Sequence, residues 1–456
     1  MKKRILAISA GQTEYKKQTN AVKGHIRYLN YGLLGLATMI RDVLGLDVVM
    51  AQGDGRSPED FLAWLEECGV RVGECERILL SVPSYYSVSW CVSLCELMHT
   101  RYGRCVSVGG RWVVDDDPDW IRRKLVYVDE IVVGFGEHPL AQLLCPERAH
   151  LVREGRTQCF EHLDYSIMLG YEHYQPSIEV SRGCGSGCAF CADKANKRLQ
   201  NIAVDNVMRE LDYLDSVYSD YTYYLEAPHF CFSPSWVDEF VKRVREREVM
   251  HPWRCTTRVE SVPLGKIGEL ASSGLKILDI GLESASPEQL LRMGKTRDPE
   301  RYLERAHAVL EECAREGVWV KLNILLFAGE NAETVRQTLT WLRERRHLIK
   351  GVAVSTLVYY KGAGSLDDLV ALGARVPEGA DLGGSGYIDL DLSDEMSVDT
   401  ARVAALNICR EMMSARDYYD IKSVSYFERG YTYRDFLADV AASDPESLPF
   451  ATDRDD

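Results

Sequence analysis

Three cysteines, Cys184, Cys188 and Cys191, stand in a C-x3-C-x2-C spacing directly after a strand candidate, 177–181. Thiolates are the ligands that iron–sulfur clusters require, and a four-iron cluster takes four of them. A loop with three thiolates therefore leaves one iron open to a small molecule. Gly183, Gly185 and Gly187 are placed to let the backbone fold tightly around a bulky group. A structural zinc would need a fourth Cys or His close by. After Cys191 the next such residue is His229. The spacing thus points to a [4Fe–4S] cluster held by Cys184, Cys188 and Cys191.

The rest of the chain narrows the setting. With 456 residues, two or three domains are expected. The net charge of −15 argues against a basic nucleic-acid-binding face. An acidic chain of this kind suits a cationic small-molecule substrate, or simply a soluble surface. No run of about 18 apolar residues would span a membrane. The apolar run Ile5–Ala10 is too short for a signal-peptide core and reads as a first buried strand, so a cytoplasmic protein is expected. The 14 cysteines are scattered, as reduced thiols would be, and show no disulfide framework.

Residues 1–145 alternate short apolar strands (5–9, 47–51, 77–82, 105–108, 130–133) with helical stretches (31–44, 57–68, 87–102, 118–125). Strands without polar alternation have both faces covered, which predicts a Rossmann-like parallel sheet with ligands at the carboxyl ends of its strands. Residues 146–175 read as a linker. A second βα series over 176–360, with strands at 177–181, 222–226, 253–258, 277–281, 319–325 and 352–358, predicts a partial (β/α)6 TIM-like barrel. Residues 361–456 form a short mixed tail with a helix near 397–413. The fold class expected is α/β throughout.

With the cysteine loop after the first strand of a partial barrel, the chain resembles the radical S-adenosylmethionine (SAM) superfamily. The resemblance implies that SAM chelates the open iron and is reductively cleaved to a 5′-deoxyadenosyl radical that abstracts hydrogen from substrate. It also implies an electron donor such as flavodoxin or ferredoxin. Carried over residue by residue, it places Phe190 beside the adenine, Glu226 (in 224–227) at the SAM amino group and Arg258 near the SAM carboxylate. Glu283, in a segment similar to Gly-Ile-Glu-Ser and followed by Met293, Gly294 and Lys295, joins the cofactor site. Gly329 lies in the turn that holds the adenine through backbone groups. Arg258 can pair bidentately with a carboxylate, and Glu226 or Glu283 can accept from an ammonium or a ribose.

The amino-terminal domain resembles that of the subgroup with a cobalamin-binding domain, at 30–37, 106–110 and 133–137. Cobalamin is therefore a candidate cofactor. The bulky pair Arg111 and Trp112 after Gly109 and Gly110 would either fill the corrin space or pack elsewhere. Two reactions follow from the resemblance. One is radical dehydration of an aminoglycoside, a lyase reaction similar to that of the apramycin-pathway diol dehydratase in antibiotic biosynthesis. The other is cobalamin-dependent C-methylation of a secondary metabolite. The short tail, the Arg111–Trp112 pair and the acidic charge favour dehydration. Dehydration needs a general base, for which Glu226, His229 and Tyr360 are the candidates at strand ends. It also leaves a carbonyl for a partner reductase.

Overall fold

The apolar runs of the amino-terminal region become β1 (Arg4–Ser9), β2 (Asp47–Gln52), β3 (Arg77–Ser81), β4 (Val106–Gly109) and β5 (Val128–Ile131). They form one parallel sheet in the order β2-β1-β3-β4-β5. The intervening helices are α1 (Tyr31–Asp42), α2 (Pro58–Glu67), α3 (Val88–Tyr102), α4 (Pro118–Lys124) and α5 (Glu137–Leu144). Each helix starts or stops where its sequence directs. Ser57 caps α2 ahead of Pro58, and Gly103, at φ +63°, ends α3 in the left-handed conformation. Strand order reverses between β1 and β3, the switch point where such sheets bind ligands. The computed structural model describes residues 4–12, 20–113, 118–152, 161–191, 199–228, 230 and 233–452. They divide into two compact units: Met1–Thr19, Arg27–Tyr174 and Leu382–Gly386 in one, and Asn20–Ile26, Gln175–Asp381 and Tyr387–Asp456 in the other.

The second unit is built on six parallel strands. In chain order its elements are β6 (Ser177–Glu179), the two-residue strands β7 (Ser181–Arg182) and β8 (Gln200–Asn201), α6 (Val204–Val217), β9 (Tyr223–Glu226), α7 (Pro234–Arg245), β10 (Trp253–Arg258), α8 (Ile267–Ala271), β11 (Leu275–Glu283), α9 (Pro287–Arg292), α10 (Pro299–Arg315), β12 (Trp319–Leu326), α11 (Ala332–Glu344) and β13 (Gly351–Thr356). The sheet order β13-β12-β11-β10-β9-β6 is sequential and open, a partial barrel. After it come β14 (Val358–Tyr360), α12 (Leu366–Ala371), α13 (Leu382–Ser385, which belongs with the first unit), β15 (Tyr387–Asp389), α14 (Val398–Met412), α15 (Ala415–Ser423) and α16 (Tyr433–Ala442).

Alternation along these strands separates two chemistries. On one face Cys255, Leu278, Val320, Leu322 and Val352 are buried. The other face carries Arg254, Asp279 and Lys321. Arg254 is wholly buried. It donates to both carboxylate oxygens of Asp279 (Nε to Oδ2 3.0 Å, Nη2 to Oδ1 2.8 Å) and to the carbonyls of Ile421 (2.6 Å) and Val424 (2.8 Å). Lys321 Nζ donates to Asp279 Oδ1 (2.9 Å) and to Asn323 (3.0 Å). Burial alone would raise the Asp279 pKa, but the two cations hold it below the ordinary value. Ile277, with Trp319 packed alongside, joins Tyr418, Ile421, Phe427 and Phe436 in an apolar cluster, so the carboxyl-terminal helices close the amino end of this polar face.

Two expectations change. The run 352–358 is not one strand: β13 ends at Thr356, and β14 pairs antiparallel with β15 in a separate ribbon. Tyr360 therefore lies opposite Tyr387 in that ribbon and not at a barrel strand end. The tail contributes α14–α16 and much of that apolar cluster, with α14 at the helix expected near 397–413.

Candidate active site

The cysteine loop leaves β6 through β7 and turns twice in the left-handed region, at Gly183 (φ +74°) and Gly185 (φ +71°). Gly187 does not need to be glycine, because a Cβ there would meet open space. Cys188 is buried, while Cys184 and Cys191 are partly exposed. The Cys191 N–H donates to the Cys188 carbonyl (3.1 Å), a tight turn that brings these two residues close.

A second element docks on this loop. The Ala189 N–H donates to the carbonyl of Met293 (2.9 Å). Arg258, at the carboxyl end of β10, donates from Nη1 to Cys188 Sγ (3.1 Å) and from Nη2 to Glu260 (3.1 Å) and the Lys295 carbonyl (3.1 Å). Burial opposes the Arg258 charge, but Glu260 and Cys188 outweigh it and keep the guanidinium firmly protonated. Sequence reasoning placed Arg258 near the SAM carboxylate; its donors here lie first on the cluster loop. Lys295 was named only as part of a segment. It is 2% exposed and pairs with Glu283 Oε1 at 3.1 Å.

Glu283 ends β11 at φ +70°, a rare conformation for a non-glycine residue, beside an irregularity in the β11–β12 register. Its carboxylate folds back over Gly281, where a Cβ would lie 2.5 Å from Glu283 Oε1. A side chain at Gly281 would displace the Glu283 carboxylate from this position beside Lys295. Glu226 ends β9 and accepts from Ser177 Oγ (3.0 Å). Burial, with Glu179 nearby, pushes its carboxyl up to about 7, only partly offset by Ser177 and Arg254. Tyr224 and Thr256 share a short hydroxyl contact on the same face.

Phe190 meets Phe327 edge to face, with ring centroids 6.2 Å apart, which brings the cysteine loop beside the turn after β12. In that turn Gly329 sits at φ +74°, and any side chain would collide with Arg292. Its N–H donates to Leu392 O (2.5 Å) and its carbonyl accepts from Arg292 (2.8 Å). Glu330 closes the turn by accepting from the Phe327 N–H (3.1 Å), and burial pushes its carboxyl up to about 7. The structure thus gathers Cys188, Phe190, Arg258, Glu283 and the 327–330 turn around one loop. His229 lies outside the described residues.

Thiols are the donor type that an iron–sulfur cluster takes. Among the described residues no three His, Cys, Asp or Glu side chains converge to hold one metal ion. Zinc would need four donors about 2.0–2.3 Å from one point. Three thiols carried on a glycine-turned loop suit a larger, multinuclear group. Residues 178–342 match the model of the radical SAM superfamily. The matched stretch runs from β6 into α11 and contains the cysteine loop. No curated protein matches the chain.

Among solved structures, the cobalamin-dependent S-adenosylmethionine radical enzyme OxsB, with aqua-cobalamin and S-adenosylmethionine bound, is 16% identical with a TM-score of 0.58. The match covers 81% of this chain and 55% of OxsB, so the chain spans about half of that protein's length. The radical S-adenosylmethionine methyltransferase TsrM from Kitasatospora setae, with cobalamin and a [4Fe–4S] cluster bound, is 16% identical with a TM-score of 0.58; the match covers 78% of this chain and 72% of TsrM. At such identities the likeness is one of fold. Both of these structures carry cobalamin, OxsB together with S-adenosylmethionine and TsrM together with a [4Fe–4S] cluster.

The first unit offers cobalamin a polar floor at the β1/β3 switch point. Asn30 Nδ2 donates to Ser9 Oγ (2.9 Å) and Ser81 Oγ (3.1 Å), and the Asn30 N–H donates to Gln52 (2.6 Å). Gly110, at φ +105°, lies so close to the β3 exit that a Cβ would stand 2.8 Å from the Val82 nitrogen. Trp112 is 1% exposed and packs into the core against Trp120 (5.0 Å) and Tyr85 (6.0 Å). It packs away from solvent instead of standing over the strand ends. The residues present fit the group.

Proposed function

We propose that this chain is a radical SAM enzyme acting on a small molecule, and that cobalamin-dependent methyl transfer is its reaction. The observation that carries the first part is the three-cysteine loop at the carboxyl end of β6, docked by Arg258 and the 293–295 segment. The second part is supported by the pairing of this domain with a 2-1-3-4-5 parallel sheet, a fold shared with two proteins whose structures hold cobalamin. Dehydration of a cationic aminosugar loses one of its supports, because Trp112 is a core residue. The acidic net charge and the short tail remain.

In this reading Cys184, Cys188 and Cys191 hold the cluster, and the strand-end loops at Ser81–Ser84, Gly109–Gly110 and Gly134–Gly136 hold cobalamin. When bound, the cluster and SAM supply one-electron chemistry and a 5′-deoxyadenosyl radical, and cobalamin supplies a transferable methyl group. The chain's own residues position and protonate. Glu283, fixed by Lys295, and Glu226, fixed by Ser177, accept hydrogen bonds from the ammonium and ribose hydroxyls of SAM. Phe190 would hold the adenine of SAM, with Phe327 and the turn at Gly329 beside it. With its carboxyl near 7, Glu226 can take or give a proton at Oε1 close to neutral pH. An external one-electron donor such as flavodoxin or ferredoxin completes the system.

The test is anaerobic incubation of reconstituted protein with SAM, reductant and candidate substrates, with and without cobalamin. A product heavier by one methyl group, formed only with cobalamin and with S-adenosylhomocysteine released, is expected. Loss of water from an aminoglycoside such as paromamine without cobalamin would overturn methyl transfer and restore dehydration, with Glu226 as its base.

A further inference from the structure

We propose that Arg258 sets the reduction potential of the iron–sulfur cluster through a charged hydrogen bond to Cys188. The inference rests on the reading of Cys188 as a cluster ligand and goes beyond it. Arg258 Nη1 stands 3.1 Å from Cys188 Sγ, within hydrogen-bond reach of sulfur. Its Nη2 is held from the other side by Glu260 and by the Lys295 carbonyl, each at 3.1 Å. The guanidinium is therefore fixed in place, and its side chain is only 15% exposed.

The sign follows from charge. Reduction by one electron adds a negative charge to the cluster and its thiolates. A cation against one ligand sulfur stabilises the reduced form more than the oxidised form and raises the potential. Hydrogen bonds to sulfur, net charge and exposure are the levers that tune such clusters. Glu260 works in the opposite direction but is 41% exposed, so water screens it more than the guanidinium it pairs with. The other charges at this point, Glu283 and Lys295, cancel as a pair. Among the described residues Arg258 is the cation that donates to a cysteine sulfur of the loop.

Arg258 acts through Cys188 and is a positioning residue, so the test reads potential and not turnover. Full-length wild type, R258M, R258K and E260Q are reconstituted anaerobically and titrated potentiometrically by electron paramagnetic resonance, without SAM. R258M is expected to lower the reduction equilibrium constant about tenfold, about 59 mV for a one-electron couple. R258K should shift it less in the same direction, and E260Q should shift it upward. Equal midpoints in wild type and in the R258M or R258K variants, with full iron content, would overturn the proposal. If R258M fails to load iron, R258K and E260Q carry the sign test. The Cys188→Ala variant separates the two claims. Loss of its cluster alongside unmoved Arg258 midpoints sinks only the tuning role. A full cluster in Cys188→Ala sinks the ligand reading itself.

Discussion

Arg254→Met is the perturbation with the largest consequence that does not touch the cysteine loop. Methionine roughly preserves the apolar stem but removes the guanidinium. Asp279 then loses its bidentate partner and keeps only Lys321, 2.9 Å away, while the carbonyls of Ile421 and Val424 lose their donors. Breaking a buried ion pair from one side costs about 3–5 kcal/mol. An orphaned buried carbonyl adds about 1–3 kcal/mol, although such terms do not sum when they share a network. Lys321 returns part of this, so a net loss of about 4 kcal/mol is expected. In a chain of two units whole-molecule melting is not two-state, and a local probe is better. Amide hydrogen exchange of α15 and of 424–427 reads the contact itself. At about 1.4 kcal/mol per decade, exchange there should speed up roughly a thousandfold. The Arg254→Met/Asp279→Asn double variant should recover part of the protection, because the carboxylate left behind is gone. Less than a tenfold change in the single variant would refute the claim that Arg254 ties the carboxyl-terminal cap to the sheet.

Two further outcomes follow. Glu226 is protonated more readily folded (about 7) than unfolded (about 4.5), so the native state binds the extra proton and its stabilising contribution, complete below about pH 4.5, is lost as pH rises through about 7. Glu226→Gln should be more stable than wild type at pH 8 by a few kcal/mol and show a flatter pH profile in urea unfolding of the second unit; equal stability at pH 8 would contradict the burial argument. Gly110→Ala should destabilise the first unit by about 2 kcal/mol or more in denaturant titration, since φ +105° and the 2.8 Å approach to Val82 both oppose a side chain; a neutral result would remove the reason for glycine there.

Much of the site was legible because its chemistry is written in local spacing. Glu226, Arg258 and Glu283 end β9, β10 and β11, as the apolar runs before them suggested. The strand pattern showed the Rossmann-like sheet and the partial barrel because apolar runs of this length are buried on both faces. Tyr360 was misplaced because an apolar run does not say which sheet it joins: the strand stops at Thr356, and Val358 starts a ribbon with a partner some 30 residues later. The Arg254–Asp279–Lys321 network was missed although each charge sits at an alternate position in an apolar strand. That is the signal for a polar inner face, but pairing across three strands is visible only once the register is known. Trp112 is a similar case, since a bulky residue at a strand end reads as a plug until its packing is seen. Lys295 is twelve residues from Glu283 and meets it only because α9 turns the chain back.

The most direct test of the account is iron content and SAM-derived products for anaerobically reconstituted wild type and the Cys184→Ala, Cys188→Ala and Cys191→Ala variants, under reducing conditions. About four irons per wild-type chain are expected, with 5′-deoxyadenosine or S-adenosylhomocysteine formed. Each variant should lose the cluster and both products. A variant that keeps a full cluster and still consumes SAM, or a wild type that binds no iron, would contradict it.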